Sequence, residues 1–396
     1  MTITPAQKKL IITVGAIVAA VAVLAVVFFT LLLNPIRYAM AKSNIKKGNY
    51  EKAYYLLKDA KDYKDSEKLL EDFYITYKEE TYETFDAAGD VQRKEVTKRD
   101  KYGNVTEETV YAQSGDVQEQ TTYKYEYTKY GDYTLRIEYD MDGEEVEREA
   151  YEYDYDKNGN MTVKKRLNKD GEVVAKYEYE YDKNGNMTEE TSYNADGEKM
   201  GKYVYEYDKN DNKTLSASYD REGNLLYKTV YEYDKNSNLT LREEYDEEGN
   251  LESKDKYEYD KKGNETLRAY YDGEGKLKSK VKSTYDKKGN LTKEVNYNAD
   301  GEETGSTKYE YDKKGNMTKV TEYNANGDKQ EYAKCEYDKK GNMTKVTWYD
   351  ENGEKESFIM CKYDKKGNVT KRTYYDEEGN KTGEDTYDGV IVLYEK

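Results

Sequence analysis

The sequence predicts a mainly β protein: a long antiparallel meander of β-hairpins in 26-residue repeats that coils, preceded by a short α-helical neck and one transmembrane helix. Three observations predict it. The octet YDKNGNMT, or a close variant, begins at Tyr155, Tyr181, Tyr207, Tyr233, Tyr259, Tyr285, Tyr311, Tyr337 and Tyr363, spaced by 26 residues each time. A second motif, Tyr-[Asp/Asn]-x-x-Gly, follows 12 residues after each regular start, from Tyr193 to Tyr375, with Leu167 standing in once. Ahead of the repeats, 24 consecutive residues from Leu10 to Leu33 carry no charge.

The uncharged run comes first in the chain. At about 1.5 Å per residue it exceeds the roughly 30 Å of a hydrocarbon core, so residues 10–33 read as a membrane anchor behind a nine-residue tail, residues 1–9. Pro35 and the triplet Ala39-Met40-Ala41 leave a cleaved signal peptide as the rival, although the run is longer than a signal core. Lys8 and Lys9 precede the run, and Arg37, Lys42, Lys46 and Lys47 follow it. Taken literally these charges keep the C-terminus inside, but long domains cross largely regardless of them, and an external repeat domain is expected.

Residues 36–80 alternate apolar and charged positions at helical spacing, with Gly48-Asn49 placed to stop one helix and start another, so two or three short helices are expected. The positions Tyr38, Ala41, Gly48, Asn49, Tyr50, Ala53, Tyr54 and Leu57 resemble a single tetratricopeptide repeat. Its small residues would let paired helices approach closely.

From residue 81 to 388 the repeats take over. Quartets such as Asp182-Lys183-Asn184-Gly185 have the composition of a type I turn followed by a left-handed Gly in a G1 bulge. Tight hairpins make neighbouring strands antiparallel, giving roughly 22 strands over eleven repeats. All spacings are even, so residue parity is expected to fix the face. Of 40 Tyr from residue 99 onward, 34 are odd-numbered, which predicts an internal tyrosine face and an external charged one. Tyr-Asp followed by x-x-Gly-Asn-x-Thr resembles the YD repeats of bacterial Rhs proteins, and the resemblance implies a spiralling β shell over residues 99–388. Residues 389–396 are left as a tail or cap.

Composition excludes much chemistry. The chain has 396 residues, net charge −17, no His and two Cys, so imidazole bases, His-ligated zinc and four-Cys zinc sites are excluded. Asp154, Asp156, Asn158 and Gly159 open like an EF-hand loop, but Lys165 stands where a bidentate Glu is required. The Asn-x-Thr sequons at Asn160, Asn186, Asn212, Asn238, Asn264, Asn290, Asn316, Asn342 and Asn368 recur because the hairpin recurs. No catalytic, cofactor or metal residues are assigned, and no enzyme is expected. Residues 1–80 hold 12 basic and 9 acidic side chains, leaving −20 on the rest, a field that repels nucleic acid. Cys335 and Cys361 occupy equivalent places in successive repeats. A meander separates them by about 9.5 Å, so both are expected to be free thiols.

The expected ligand-contact residues are those that interrupt the charged face: Tyr332, Val346, Trp348, Phe358, Met360 and Tyr374. Under the G1-bulge hairpin, numbers summing to 680 face each other, pairing Tyr332 with Trp348, and the next such hairpin pairs Phe358 with Tyr374. All six would converge, either as a sugar or protein site or beneath the apolar tail Val390–Tyr394 acting as a cap. The functional expectation is a membrane-anchored, non-enzymatic bacterial surface scaffold that is adhesive or binds a cell-surface glycan or protein partner. The alternative is a cytoplasm-facing interaction or immunity-type protein.

Overall fold

A computed structural model describes residues 34–45, 50–60, 69–70 and 73–394. The expected membrane helix at residues 10–33 lies outside them. Among the described residues no helix is long and apolar enough to cross a membrane, a statement that does not bear on strands.

Two helices, α1 (Asn34–Ile45) and α2 (Tyr50–Asp59), meet the expectation of paired short helices. They are followed by 24 strands, from β1 (Phe73–Phe85) to β24 (Lys381–Tyr394). The first strand therefore begins inside the span expected to be helical, and the last runs through the segment expected to be a tail. Successive strands pair antiparallel, and β1 pairs with β24 as well as with its own hairpin partner, so the first and last strands of the 24-stranded sheet meet. Their pairing leaves no open edge to recruit another strand.

Contacts divide the described chain into two compact units. One takes the residues up to Glu80, Thr97–Thr106 and those from Tyr387 onward; the other takes Thr81–Val96 and Glu107–Thr386. In the first unit Ala41, Ala53 and Leu57 are fully buried, clustered with Tyr38, Phe73 and Val392. The helical pair thus closes on strand residues, Phe73 of β1 and Val392 of β24, as its apolar partner surface. Val392 and the neighbouring Ile391 are buried here, so the apolar tail is a core strand of this unit and is not free to cap the aromatic patch. In the second unit Lys381 sits 3.8 Å from the Phe85 ring centroid, which ties the last strand to the first.

Every turn follows one plan. At Asp182–Gly185 the Gly185 N–H donates to the Asp182 carbonyl at 3.1 Å, the Asp182 N–H donates to the Asn186 carbonyl at 2.9 Å, and Gly185 has φ 91°. This is the expected type I turn with a G1 bulge. The Asp182 carboxylate accepts the N–H groups of Asn184 and Asn186 at 2.8 and 3.0 Å and the Asn186 side-chain amide at 3.0 Å. Asp therefore initiates the turn and Asn clamps it.

A second irregularity lies one step beyond each turn. Tyr337 pairs with Met343, but Glu336 pairs with Lys345, leaving Thr344 unpaired as a second bulge. Each hairpin gains one residue this way, and the register beyond the bulge shifts by one. Odd residues of a long strand therefore share a face with even residues of the short strands beside it. The expected parity rule holds within a strand and reverses across each hairpin. One face carries the long-strand tyrosines such as Tyr177 and Tyr179; the other carries the short-strand tyrosines with the long-strand lysines, as where Lys228 lies 4.5 Å from the Tyr245 ring centroid.

The long-strand tyrosines are fastened by their hydroxyls. Tyr181 donates to the Met161 carbonyl, Tyr233 to Lys213, Tyr259 to Leu239, Tyr285 to Glu265, Tyr337 to Met317 and Tyr363 to Met343, at 2.7–3.0 Å. Each acceptor is the residue flanking the preceding repeat's second bulge, where the ladder is interrupted. A buried backbone carbonyl needs a partner, and the next repeat's Tyr supplies it.

Candidate binding surface

The six expected contact residues lie on four strands, β20 (Lys329–Tyr337), β21 (Met343–Tyr349), β22 (Lys355–Tyr363) and β23 (Val369–Tyr375). The second bulge separates them. Tyr332 pairs with Tyr349 and Phe358 with Tyr375, so the expected pairs Tyr332–Trp348 and Phe358–Tyr374 are each displaced by one residue. Tyr332, Phe358 and Met360 occupy one face; Val346, Trp348 and Tyr374 occupy the opposite one.

On the first face the rings are stacked in pairs. Tyr332 and Tyr349 lie 4.6 Å apart at 4°, and Phe358 and Tyr375 lie 4.4 Å apart at 5°. Lysines border them: Lys329 is 4.6 Å from the Tyr332 centroid and Lys345 is 4.8 Å from that of Phe358. In earlier repeats the same place over the short-strand Tyr is held by lysine, as in Lys202 over Tyr219 and Lys280 over Tyr297. A cation and a second ring are alternative ways of covering one phenol face. Tyr332 and Phe358 thus have a structural explanation.

On the opposite face Val346 pairs with Ile359, Ile359 with Tyr374, and Trp348 with Ser357. A depression of about 470 Å³ lies at these strands, lined from this face by Trp348, Ser357, Ile359 and Tyr374 and from the other by Glu356, Phe358, Tyr375 and Thr382. The Tyr374 hydroxyl donates to the Asp385 carboxylate at 2.6 Å, and burial together with that bond pushes its pKa up to about 12. Asp385 pairs in register with Arg372, placing a cation and a carboxylate beside the ring. Sequence reasoning missed Ile359 and Asp385 because their odd numbers assigned them to the other face. In the YD hairpins the bulged residue is the Thr of the octet, such as Thr240, Thr318 and Thr344, whereas in the intervening hairpins it varies, as in Leu226, Glu252 and Lys278.

Cys335 and Cys361 are free, and burial raises both thiol pKa values. Among the described residues no group of three or more acidic or Cys side chains is placed to hold a metal. In the EF-hand-like segment the Asp156 carboxylate is engaged by the Asn158 and Asn160 N–H groups and the Asn160 side-chain amide, at 2.8–2.9 Å. The sequon asparagines are committed likewise: the side-chain amides of Asn238 and Asn368 donate to Asp234 and Asp364, and Asn368 is buried.

The family description RHS Repeat matches residues 285–329. Within this β-repeat chain, the matched residues are similar to the RHS repeat. A comparison with curated proteins gives no match. Among solved structures the chain is similar to a TcdB2-TccC3-Cdc42 complex, with 12% identity and a TM-score of 0.29 over 75% of this chain and 19% of that one. A Photorhabdus luminescens Tc holotoxin pore gives 12% identity and a TM-score of 0.28 over 73% and 19%. A porin-like protein from Bacteroides uniformis gives 14% and 0.28 over 59% and 96%. The chain spans about a fifth of the length of the toxin chains it matches. Scores this low carry no argument about its fold or activity.

Proposed function

We propose that this β-repeat scaffold protein is a non-enzymatic, membrane-anchored component of a bacterial surface and that its Trp348–Ile359–Tyr374 depression binds a sugar ring. The observation that supports the reading is the composition of that depression: four aromatic residues, Trp348, Phe358, Tyr374 and Tyr375, with Ile359 and the polar Glu356, Ser357 and Thr382, beside a hydroxyl already bonded to Asp385 and an arginine, Arg372, in register with that carboxylate. Aromatic faces cover the apolar side of a pyranose, and paired polar groups orient its hydroxyls. The helical pair then serves as a neck between the anchor and the repeats.

The test is a glycan array probed with the full chain in neutral detergent. Trp348→Ala should abolish binding, while Tyr332→Ala, on the opposite face, should leave it intact. Equal loss in both, or none in either, would sink the proposed site. Protease treatment of intact cells tests the placement separately, since an external repeat domain is shaved and a cytoplasm-facing one is protected.

A further inference from the structure

The unit formed by the helices, the ends of β1 and β24 and residues 97–106 contains a groove of about 820 Å³ unrelated to the aromatic depression. Tyr50, Lys52, Lys78, Lys101, Tyr102 and Leu393 are among its lining residues. Neither Lys52 nor Lys78 meets a carboxylate among the described residues, and Lys101 lies over the Tyr102 ring at 4.6 Å. The Lys78 stem crosses Gly389, where an added Cβ would come within 2.7 Å of its Cδ. Its stem is therefore confined, while its ammonium group meets no carboxylate among the described residues.

Three lysines line the groove against one carboxylate, Glu51, in a chain of net charge −17. By sequence, this unit holds 16 basic and 12 acidic residues, net +4, against 49 and 70, net −21, in the other. An anionic surface thus attracts one unit and repels the other. The groove joins a cationic rim to aliphatic β24 side chains, Val390 and Leu393, with tyrosines at hand. That combination is the chemistry of a bilayer interface, where Tyr sits at headgroup level and Lys meets lipid phosphate.

We propose that this groove seats the headgroup and upper acyl segment of an anionic phospholipid. The choice of lipid rests on the membrane-anchored reading above, because the uncharged run ends at Leu33, immediately before α1. A free phosphate matches only the lysines and leaves the aliphatic floor unused.

The experiment uses the full chain in mixed micelles of neutral detergent with a photoactivatable phosphatidylglycerol, followed by peptide mapping. Labelling is expected at Tyr50–Lys52 and Lys101–Tyr102. It should fall about tenfold or more with the phosphatidylcholine analogue and in the triple variant Lys52→Gln, Lys78→Gln, Lys101→Gln, and should survive in the triple Lys→Arg variant. Equal labelling by phosphatidylcholine, or undiminished labelling of the Gln variant, overturns the proposal. So does full displacement by equimolar inorganic phosphate or hexaglutamate, which would make the groove a general anion or acidic-peptide site. Because the micelle delivers the lipid whether or not residues 10–33 span a bilayer, failure of the anchor is read independently, from solubility after detergent removal.

Discussion

Replacing Tyr259 by Phe removes one oxygen and tests why the repeat uses tyrosine. The Tyr259 hydroxyl donates to the Leu239 carbonyl at 2.8 Å. Leu239 pairs with Tyr233 just before the unpaired Thr240, so its carbonyl lies where the ladder is interrupted. A net hydrogen bond contributes about 1 kcal/mol, and stranding a half-buried carbonyl adds to the loss, giving a cost of about 1–2 kcal/mol. Tyr271→Phe is the matched control. Its ring is covered by Lys256 at 5.4 Å and its hydroxyl bonds to none of the described residues, so its cost should be near zero. Guanidinium unfolding followed by circular dichroism compares the two midpoints. Equal shifts would refute the claim that the hydroxyl, rather than the ring, fastens successive repeats.

Other consequences are equally direct. Tyr205→Ser and Tyr231→Ser should lower the melting temperature more than Glu206→Ser and Glu232→Ser, since those rings are half-buried and the carboxylates exposed; equal shifts would contradict the face assignment. Gly263, at φ 88°, should lose about 1 kcal/mol on conversion to Ala. Gly263→Ser should lose less in the same denaturation assay, because the new hydroxyl can take the Asn238 amide as Ser237, at φ 65°, takes that of Asn212 at 3.0 Å. Hydrogen bonds from Asn hold the turn carboxylates of Asp208, Asp234, Asp260, Asp286, Asp312 and Asp338 below their ordinary value. That stability is present above the unfolded value near pH 4 and is lost as pH falls through the depressed folded values, so a pH titration of the circular dichroism signal should show a steep acid transition below about pH 4. Burial raises the phenols of Tyr181, Tyr207, Tyr233 and Tyr259, whose contribution is full below about pH 10 and is lost as pH rises through the folded values; phenolate absorbance should emerge later in the folded chain than in guanidinium.

How far the sequence could be read follows from which interactions are local. The turn Asp182–Gly185 was legible because its Asp, Asn and Gly act within five residues of one another, and each residue type has one geometric use there. The helical pair was legible for a similar reason, since Ala41, Ala53 and Leu57 fall at helical spacing. The second bulge was not legible. Thr344 is left out of the ladder, its hydroxyl donating to the Glu336 carbonyl at 3.2 Å, and although the octet carries this Thr in each repeat, Thr is common at paired strand positions and does not by itself read as a bulge. One unread residue moved Trp348 and Tyr332 to opposite faces.

That same geometry narrows where function can reside. The YD-x-x-G-N motif is consumed by architecture: Tyr ties the preceding repeat, Asp and Asn hold the turn, and Gly adopts the left-handed conformation. Aromatic residues at 332 and 358 fill a place that Lys202, Lys228, Lys254 and Lys280 fill in earlier repeats, and they too are accounted for by packing over a tyrosine. The position of Trp348 differs. Its equivalents are Ser192, Ser218, Glu244, Tyr270, Asn296, Glu322 and Tyr374, so the hairpin accepts small, polar and aromatic side chains there without preference. A single indole at a position the repeat does not constrain, next to Ser357 in register and lining the same depression as Tyr374, has no structural duty that its counterparts share. The proposed sugar site would give Trp348 a role, and it places that proposal at Trp348 rather than at the tyrosines that dominate the composition.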